Sequence, residues 1–278
     1  MASEERDFSQ NMGMFEAAVH AKPVTLESQD LSVILLALDG SNQDDTARAL
    51  AQRLAKTTQA QVQEFAGATT CADIIHAIKG QKAQLLVLPA PFGRDIEALK
   101  DESLGSVVDM TLHEAPCPVL CVRNPMEEEQ LAKVFTDILV PITEHVGDHQ
   151  RALSWAFRLM ESDGELELLG VADRNLLTEA KALLGDAISD EALQSEALNR
   201  AVTADIGGLV AAVQKKGAEQ GIGVRVEVRE GEPVAVTLQE ANNRPRLIVI
   251  AGSHDHTSSA YHHAADLTLG ANGPVLVV

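Results

Sequence analysis

The segments PVLCV at residues 118–122 and PVLVV at residues 274–278 close two stretches of this chain in nearly the same way. Each segment is preceded, in the same order, by a short apolar run, a polar loop and a short helical pattern. The apolar runs are LLVL at residues 85–88 and LIVI at residues 247–250. A repeat of this length indicates two copies of one domain, so the differences between the copies become informative about function.

The beginnings of the two copies also match, with ILLAL starting at Ile34 and ILVPI starting at Ile138. These starts are 104 residues apart, whereas the later apolar runs that begin at Leu85 and Leu247 are 162 residues apart. The second copy therefore carries 58 additional residues between its first and penultimate strands. We interpret the difference as one strand–helix unit that the first copy lacks after its first helix.

The composition is that of a globular and strongly acidic protein. Of the 278 residues, 45% are hydrophobic, and the net charge is −19. This charge argues against a nucleic-acid partner, because phosphate contacts need clustered Lys and Arg. No run approaches the roughly 20 apolar residues of a membrane span, and the first residues lack the pattern of a secretion signal. We therefore expect a cytoplasmic protein with no nucleic-acid or membrane partner.

The chain has three cysteines, Cys71, Cys117 and Cys121. Two of them lie at a predicted buried strand, where a thiol behaves as a small apolar side chain. We predict core thiols, because this spacing fits neither a disulfide framework nor a closed zinc site.

The pattern of apolar residues predicts an α/β fold built on doubly wound parallel sheets. The continuous apolar run from Leu31 to Leu38 is typical of a strand that is covered on both faces. Strand patterns alternate with helical patterns, giving five strands in the second copy and about four in the first. The predicted organisation is an N-terminal extension (1–30), a shortened first domain (31–124), a linker (125–134) and a second domain (135–278).

Several short segments form a recognisable set when they are combined with the doubly wound pattern. They are LALDGS at 36–41, LGSVV at 104–108, APCPVLCV at 115–122, ILVPI at 138–142, GSH at 252–254 and GPVLVV at 273–278. With these segments the chain resembles the universal stress protein family in its tandem two-domain form. The resemblance implies two flavodoxin-like domains, of the adenine nucleotide alpha hydrolase-like type, and a stress-response or signalling adaptor.

The resemblance also implies how the copies assemble. They should form an internal pseudo-dimer in which the closing strand 119–122 pairs with the closing strand 275–278. These strands are apolar and end their sheets, so an unpaired edge would otherwise invite aggregation. A homodimer of the whole chain stays open.

Members of this family that bind ATP use a loop of the form G-x2-G-x9-G-[ST] after the fourth strand. Glycines let backbone N–H groups approach phosphates, and the final Gly-Ser opens a helix whose N-terminus favours anions. In the first copy, Gly93 matches the second glycine, and Gly105 and Ser106 match the closing pair. Asp39 matches the acid after the first strand, which can meet the nucleoside at the carboxyl ends of the strands.

The resemblance places a candidate site for ATP with Mg²⁺ in the first copy only. Its residues are Ala37, Leu38, Asp39, Pro89, Ala90, Gly93, Gly105, Ser106 and Val107. Two departures weaken the match: Ala90 replaces the first glycine, and eleven residues instead of nine separate the later glycines. The loop also holds four acids (Asp95, Glu97, Asp101, Glu102) against two bases (Arg94, Lys100), which opposes a triphosphate unless a cation intervenes. A relict loop that binds nothing is the alternative.

The second copy departs further from the family loop. Asp255 stands where the second glycine belongs, Tyr261 and His262 stand where Gly-Ser belongs, and Thr143 replaces the acid. We expect no nucleotide there. The same region concentrates four histidines that either hold a divalent metal or are solvated, and we favour the solvated state. They are His254, His256, His262 and His263.

No catalytic set stands out in the sequence, which has no H-E-x-x-H, no P-loop and no nucleophile elbow. Ser41, Ser106 and Ser253 lie at predicted helix starts, where capping explains them. We expect a protein that is not an enzyme, with slow ATP hydrolysis left open. The alternative function is a nucleotide-free assembly or partner-binding module with degenerate phosphate loops.

The shortened first copy predicts one more feature. Without one strand and its helix, this copy should expose an apolar sheet face, which is rarely left to water. We expect a second molecule or, preferably, the N-terminal extension to cover it. The apolar residues of the extension recur at near-helical spacing: Phe8, Met12, Met14, Phe15 and Val19.

Overall fold

The computed structural model describes residues 25–68, 70–93, 103–142, 149–172, 196–255 and 257–278, the side chains of residues 196–207 excepted. Apolar runs form the strands and amphipathic segments form the helices, as their periods require. In the first half, β1 (Val33–Leu38), β2 (Gln61–Ala66), β3 (Leu85–Pro89) and β4 (Val119–Val122) alternate with α1 (Asp44–Thr58), α2 (Cys71–Gln81) and α3 (Ser106–Glu114).

The second half repeats this order with one more unit. Its strands are β5 (Asp137–Ile142), β6 (Glu165–Ala172), β7 (Gly223–Glu230), β8 (Leu247–Ile250) and β9 (Val275–Val277). Its helices are α5 (His149–Leu159), α6 (Glu196–Gln220), α7 (Pro233–Ala241) and α8 (Ser259–Gly270). Between the halves, the predicted linker contains a single helical turn, α4 (Glu128–Leu131), which begins with a capping box formed by Glu127 and Gln130.

All of these strands form a single nine-stranded sheet in the order β2-β1-β3-β4-β9-β8-β5-β6-β7. Every neighbouring pair is parallel except the central one, where β4 runs antiparallel to β9. The register there is Val119↔Val277, Leu120↔Leu276 and Cys121↔Val275. The two closing strands therefore lie side by side in the middle of the sheet, where both are buried. The α/β fold with a mostly parallel sheet is confirmed.

The missing unit of the first copy lies at the outer edge of the sheet. In the second copy, β6 lies between β5 and β7, whereas in the first copy β2 pairs with β1 and is itself the edge. The strand without a counterpart is thus β7. The sheet of the first copy remains continuous, and its edge strand β2 is only partly buried.

The N-terminal segment 25–31 packs on the second copy and does not lie on the sheet of the first. Lys216 of α6 donates a hydrogen bond to the Leu26 carbonyl at 3.0 Å, and Arg158 of α5 donates to the Leu31 carbonyl at 3.4 Å. We call this segment the strap. The apolar residues between Phe8 and Val19 that we expected to cover the first copy lie outside the described residues.

The three cysteines are free and buried, which confirms the prediction of core thiols. Burial raises the pKa of Cys117 to about 12 and that of Cys121 to about 12, so both thiols remain protonated at neutral pH. Of the helices in the described residues, none combines the length and the apolar character that crossing a membrane requires.

Candidate functional site

The carboxyl ends of β1 and β3 bring together residues that are far apart in the chain. Asp39 follows β1 directly, and its carboxylate accepts hydrogen bonds from the backbone N–H of Ser41 at 3.0 Å and from that of Gly93. Gly93 belongs to the loop after β3, 54 residues further along the chain. The predicted acid and the predicted loop glycine are therefore in direct contact.

The closing Gly-Ser pair lies where the sequence places it, at the start of α3. Gly105 is the N-cap residue, with φ 82° and ψ 149°, a backbone conformation that side chains disfavour. Its N–H donates to the Ser103 hydroxyl at 3.0 Å. Ser106 is exposed in the first turn of α3, where the unpaired N–H groups of a helix favour an anion.

The remaining candidate residues differ in accessibility. Val107 is half-buried in the first turn of α3. The other four are buried: Ala37, Leu38, Pro89 and Ala90. They lie beneath the loops at the ends of the strands. Ala90 replaces the first family glycine, and its N–H donates a hydrogen bond to the Val122 carbonyl at 2.9 Å. The accessible polar groups of this site are thus concentrated around Asp39, Gly93 and the beginning of α3.

A second carboxylate makes this corner more acidic. Asp44, at the beginning of α1, accepts hydrogen bonds from the N–H of Gly40 at 2.9 Å and from that of Asp39 at 3.4 Å. Burial raises the pKa of Asp44 above its usual value, and the nearby Asp39 charge acts in the same direction. Two carboxylates at the end of β1 oppose a phosphate and favour a cation between protein and phosphate.

Capping does not explain the serines at Ser41, Ser106 and Ser253 as we expected. The N-cap of α1 is Gln43, whose side chain instead donates to the Arg123 carbonyl at 3.1 Å. The N-cap of α8 is Ser258, whose hydroxyl accepts from the Tyr261 N–H. Ser106 lies one residue inside α3 and caps nothing, because Gly105 occupies the cap position.

In the second copy, the corresponding loop is closed on itself. The Gly252 N–H donates to the Val278 carbonyl at 2.8 Å, within the sheet. The Asp255 carboxylate accepts from the N–H of Thr257 at 2.9 Å and from its hydroxyl at 2.7 Å, as in an Asx turn. Among the described residues of this region, the N–H groups of Gly252 and Thr257 are therefore already used in internal hydrogen bonds.

His254 and His262 take part in separate ring contacts. His254 packs edge-on against His113 of α3, with ring centroids 6.4 Å apart, whereas His262 packs against Tyr261. His256 lies outside the described residues. Among the residues that the structure describes, no group of three or more potential metal ligands includes a histidine.

A cluster of charges lies at the opposite end of the second copy, near the amino ends of β5 to β8. Glu167 and Arg246 are 0% and 1% exposed and form an ion pair at 2.8 Å. Asp137 binds the same guanidinium at 2.5 Å. The other members that the structure describes are Glu165, Arg225, Glu227, Arg229, Glu240 and Arg244.

This charge cluster could be mistaken for a metal centre. Oxygens of Glu167, Glu227 and Glu240 lie within 4.8 Å of one another, a spacing that one ion could bridge. The same carboxylates are bound by arginines: Arg225 contacts Glu167, and Arg229 lies 2.9 Å from Glu227 and 2.7 Å from Glu240. A cation would have to displace these guanidinium groups, so we interpret the cluster as an ion-pair network.

Sequence reasoning missed the charge cluster, although the signal was present. ELEL at 165–168 and RVEVR at 225–229 alternate charged and apolar residues, which is typical of a strand with one solvated face. The two strands carry opposite charges at one paired position, where Glu167 lies opposite Arg225 in the parallel register. Complementary charges on strands that are expected to be neighbours would have indicated the pairing.

Comparison with known proteins identifies the family. A model of the universal stress protein family matches residues 135–278, more than half of the chain. The chain belongs to the universal stress protein family. A universal stress protein from Archaeoglobus fulgidus DSM 4304 aligns with a TM-score of 0.58 at 17% identity, covering 90% of this chain and 98% of that one. This likeness shows that the two share a fold.

A protein of unknown function from Pseudomonas aeruginosa PAO1 aligns with a TM-score of 0.48 at 15% identity, covering 88% of this chain and 81% of that one. The comparison with curated proteins found no match. The universal stress protein model covers the second copy, whereas the residues predicted to bind a nucleotide lie in the first.

The Asp39 contacts predict a stability effect in this universal stress protein. Asp39→Ala removes the acceptor of the Ser41 and Gly93 N–H groups and should lower the free energy of unfolding by about 1–2 kcal/mol. Urea unfolding measures this loss. Asp45→Ala is the matched control, because the Asp45 side chain is 97% exposed and should cost less than about 1 kcal/mol. Equal losses for the two variants would contradict a structural role for the Asp39 contacts.

The charge cluster predicts a larger effect. Arg246→Met leaves Glu167 buried beside fewer positive charges and should lower the free energy of unfolding by about 3–5 kcal/mol. Arg244→Met is the control, since the Arg244 side chain is 41% exposed and binds Asp137 at 2.7 Å from the solvent side. Its loss should stay below about 1 kcal/mol in the same denaturation experiment. Comparable losses of unfolding free energy for the two variants would show that the contribution of each arginine does not depend on its burial.

Proposed function

We propose that this universal stress protein is a stress-response or signalling adaptor, not a dedicated catalyst, and that its first copy binds an adenine nucleotide. One observation carries the nucleotide part of this proposal. Asp39, Gly93 and the Gly105–Ser106 pair come from three separate chain segments and lie around the carboxyl ends of β1 and β3. Ligands of open α/β sheets bind at this end of the strands.

The beginning of α3 is the part of this region best suited to a phosphate. Ser106 is exposed and opens the helix, where unpaired backbone N–H groups favour an anion. The nucleotide would be ATP with Mg²⁺, because a divalent ion offsets the charges of Asp39 and Asp44 beside the phosphates. Asp109 lies in the first turn of α3 and adds to the negative charge that this ion must offset.

The Asp39–Gly93 contact sets a condition for this binding. The carboxylate of Asp39 occupies the Gly93 N–H that a phosphate would use. A bound phosphate must therefore displace the Asp39 carboxylate from the Gly93 N–H. The free energy gained is then only the difference between the hydrogen bonds that the phosphate forms and those that Asp39 loses. Weak, Mg²⁺-dependent binding follows from this competition.

The second copy supports the proposal by contrast. At the position of Gly93 it carries Asp255, whose carboxylate closes the loop on Thr257, and Tyr261 and His262 stand where the first copy has Gly105 and Ser106. A single nucleotide per chain is therefore expected, not two.

A charge-reversing substitution at the beginning of α3 tests the site. Isothermal titration calorimetry with ATP and Mg²⁺ should give one site per wild-type chain. Ser106→Asp should weaken binding at least tenfold, because a carboxylate then faces the phosphates. The fold should not suffer, since acidic residues are favourable in the first turn of a helix. This variant is cleaner than Gly105→Asp, which also strains a backbone with φ 82°.

The matched control for this experiment lies in the second copy. His262 is exposed on α8, where the family pattern would place the serine of the closing pair. His262→Asp introduces the same residue and should leave ATP affinity unchanged. Equal weakening by both variants would point to the overall negative charge as the cause, and wild-type protein that binds no ATP would exclude the nucleotide site.

The second candidate function is a nucleotide-free assembly or partner-binding module. It is favoured by the internal pairing of the loop donors, with Gly93 bound to Asp39 and Gly105 bound to Ser103. If this candidate is correct, the purified protein carries no adenine nucleotide, and its melting temperature does not respond to ATP with Mg²⁺. ATP that co-purifies with the wild-type protein would count against it.

A further inference from the structure

A cavity separate from the candidate nucleotide site lies between the two copies. It has a volume of about 490 Å³ and is bounded by the strap, the end of α1, α5 and α6. Ligand sites in proteins commonly have volumes of about 300–1,000 Å³. This cavity lies near the amino end of β1, whereas the nucleotide candidates lie at the carboxyl ends of the strands.

The inner wall of the cavity is apolar and fixed. Phe157 of α5 and Met160, the residue that follows α5, line it, and both are buried in the core. Ser154, one turn earlier on the same helix, also lines the cavity and is 3% exposed. The wall therefore belongs to the core of the second copy and does not depend on a surface loop.

Two cations of this cavity form no ion pair with the residues that the structure describes. Lys216 donates to the Leu26 carbonyl at 3.0 Å, and its ammonium lies 5.5 Å from the centre of the Phe157 ring. Arg158 donates only through Nη2, to the carbonyls of Leu31 at 3.4 Å and Thr58 at 3.3 Å. Both side chains are half-buried, and neither forms a described ion pair, although the protein has a net charge of −19.

The environment of Lys216 makes this arrangement costly. Burial lowers the pKa of Lys216, because the ammonium loses water that the carbonyl of Leu26 and the face of Phe157 replace only in part. The nearby acids are Glu27 and Asp30 on the strap and Glu219 on α6, and all three are exposed, so water and salt screen their charges. A negative charge inside the cavity would therefore interact with the cations more strongly than with the acids.

We propose that this cavity binds a small organic anion, with its acidic group at Lys216 and Arg158 and its apolar body against Phe157 and Met160. A carboxylate and a phosphomonoester satisfy the two cations through the same oxygen acceptors. Such a ligand contacts the strap and the helices of the second copy together, so its binding fastens the N-terminal segment to the second domain. This site does not depend on the proposed nucleotide site.

Phenyl phosphate is a suitable probe, because it combines an aromatic ring with an anionic group, and benzyl alcohol is its uncharged counterpart. Calorimetry should show phenyl phosphate binding to wild-type protein with a Kd of about 1 mM or lower. Lys216→Met keeps the aliphatic stem and removes the charge, and it should weaken binding at least tenfold. Lys215→Met, on the exposed face of the same helix, makes the same change and should have no effect.

Two further variants separate the explanations. Ser154→Leu fills the cavity without changing its charge and should abolish phenyl phosphate binding. This test does not depend on whether Lys216→Met alters α6. Ser106→Asp, at the nucleotide candidate, should leave phenyl phosphate binding unchanged. The proposal is overturned if wild-type protein shows no saturable binding, if benzyl alcohol binds equally well, or if Lys216→Met and Lys215→Met behave alike. Loss of binding in Ser106→Asp alone would assign the probe to the first copy and also overturn it.

Discussion

The antiparallel pairing of β4 with β9 is the contact on which the rest of this molecule depends. Each closing strand would otherwise leave the backbone donors and acceptors of a fully apolar edge unpaired, which invites association with other chains. We call this β4–β9 pairing the joint. Leu120 and Leu276 lie opposite each other across it, and neither is exposed to solvent. Burial of one such side chain stabilises the fold by about 1.5–3 kcal/mol, so the pairing replaces two exposed edges with a continuous core.

The joint also positions the loops of the candidate site. The N–H of Ala90 binds the Val122 carbonyl at the end of β4, and the N–H of Gly252 binds the Val278 carbonyl in the equivalent place of the second copy. Beyond β4, the Arg123 carbonyl accepts a hydrogen bond from Gln43 at the start of α1. The loop that carries Gly93 and the helix that follows Asp39 are thus tied to the same closing strand, which explains how distant residues meet at this corner.

The strand–helix unit that only the second copy contains gives the two copies different features. In the first copy β2 is the edge, and in the second the additional strand β7 extends the sheet and supports the charge cluster with β6. The additional segment also supplies α6, whose Lys216 binds the strap. The longer copy therefore carries the ion pairs and the cavity wall, whereas the shorter copy retains the better-matched phosphate loop.

Periodicity and repetition sufficed to predict most of the fold. The run from Leu31 to Leu38 predicted a strand covered on both faces, and the repeated segments predicted two copies of one domain, whose pairing through the closing strands the family resemblance implied. Both signals are strong because burial on two faces forces continuous apolar runs. The edge position of the missing unit could not be predicted, because length differences along the chain do not specify the order of strands across a sheet.

The details of the candidate site were less predictable for a physical reason. The sequence placed Asp39 and Gly93 in one site, but it could not show that the carboxylate binds the loop itself, because that choice depends on distances of a few tenths of an ångström. Ser41 and Ser253 matched the cap preference, yet Gln43 and Ser258 occupy the cap positions, since helix boundaries shift by a residue or two. Glu167 was not recognised as buried because the alternating charges of β6 resemble a solvated strand, and Arg246 lies in a polar segment just before β8 that resembles an exposed loop.

Amide hydrogen exchange across the sheet tests the central role of the joint most directly. If β4 and β9 hold the two copies as one unit, the amides of Val119–Val122 and Val275–Val277 exchange only through global unfolding. Their exchange free energies should then equal those of the flanking strands β3 and β8 and exceed those of the edge strands β2 and β7. Exchange at the joint that is as fast as at the edges would contradict this account, because the copies would then separate without unfolding.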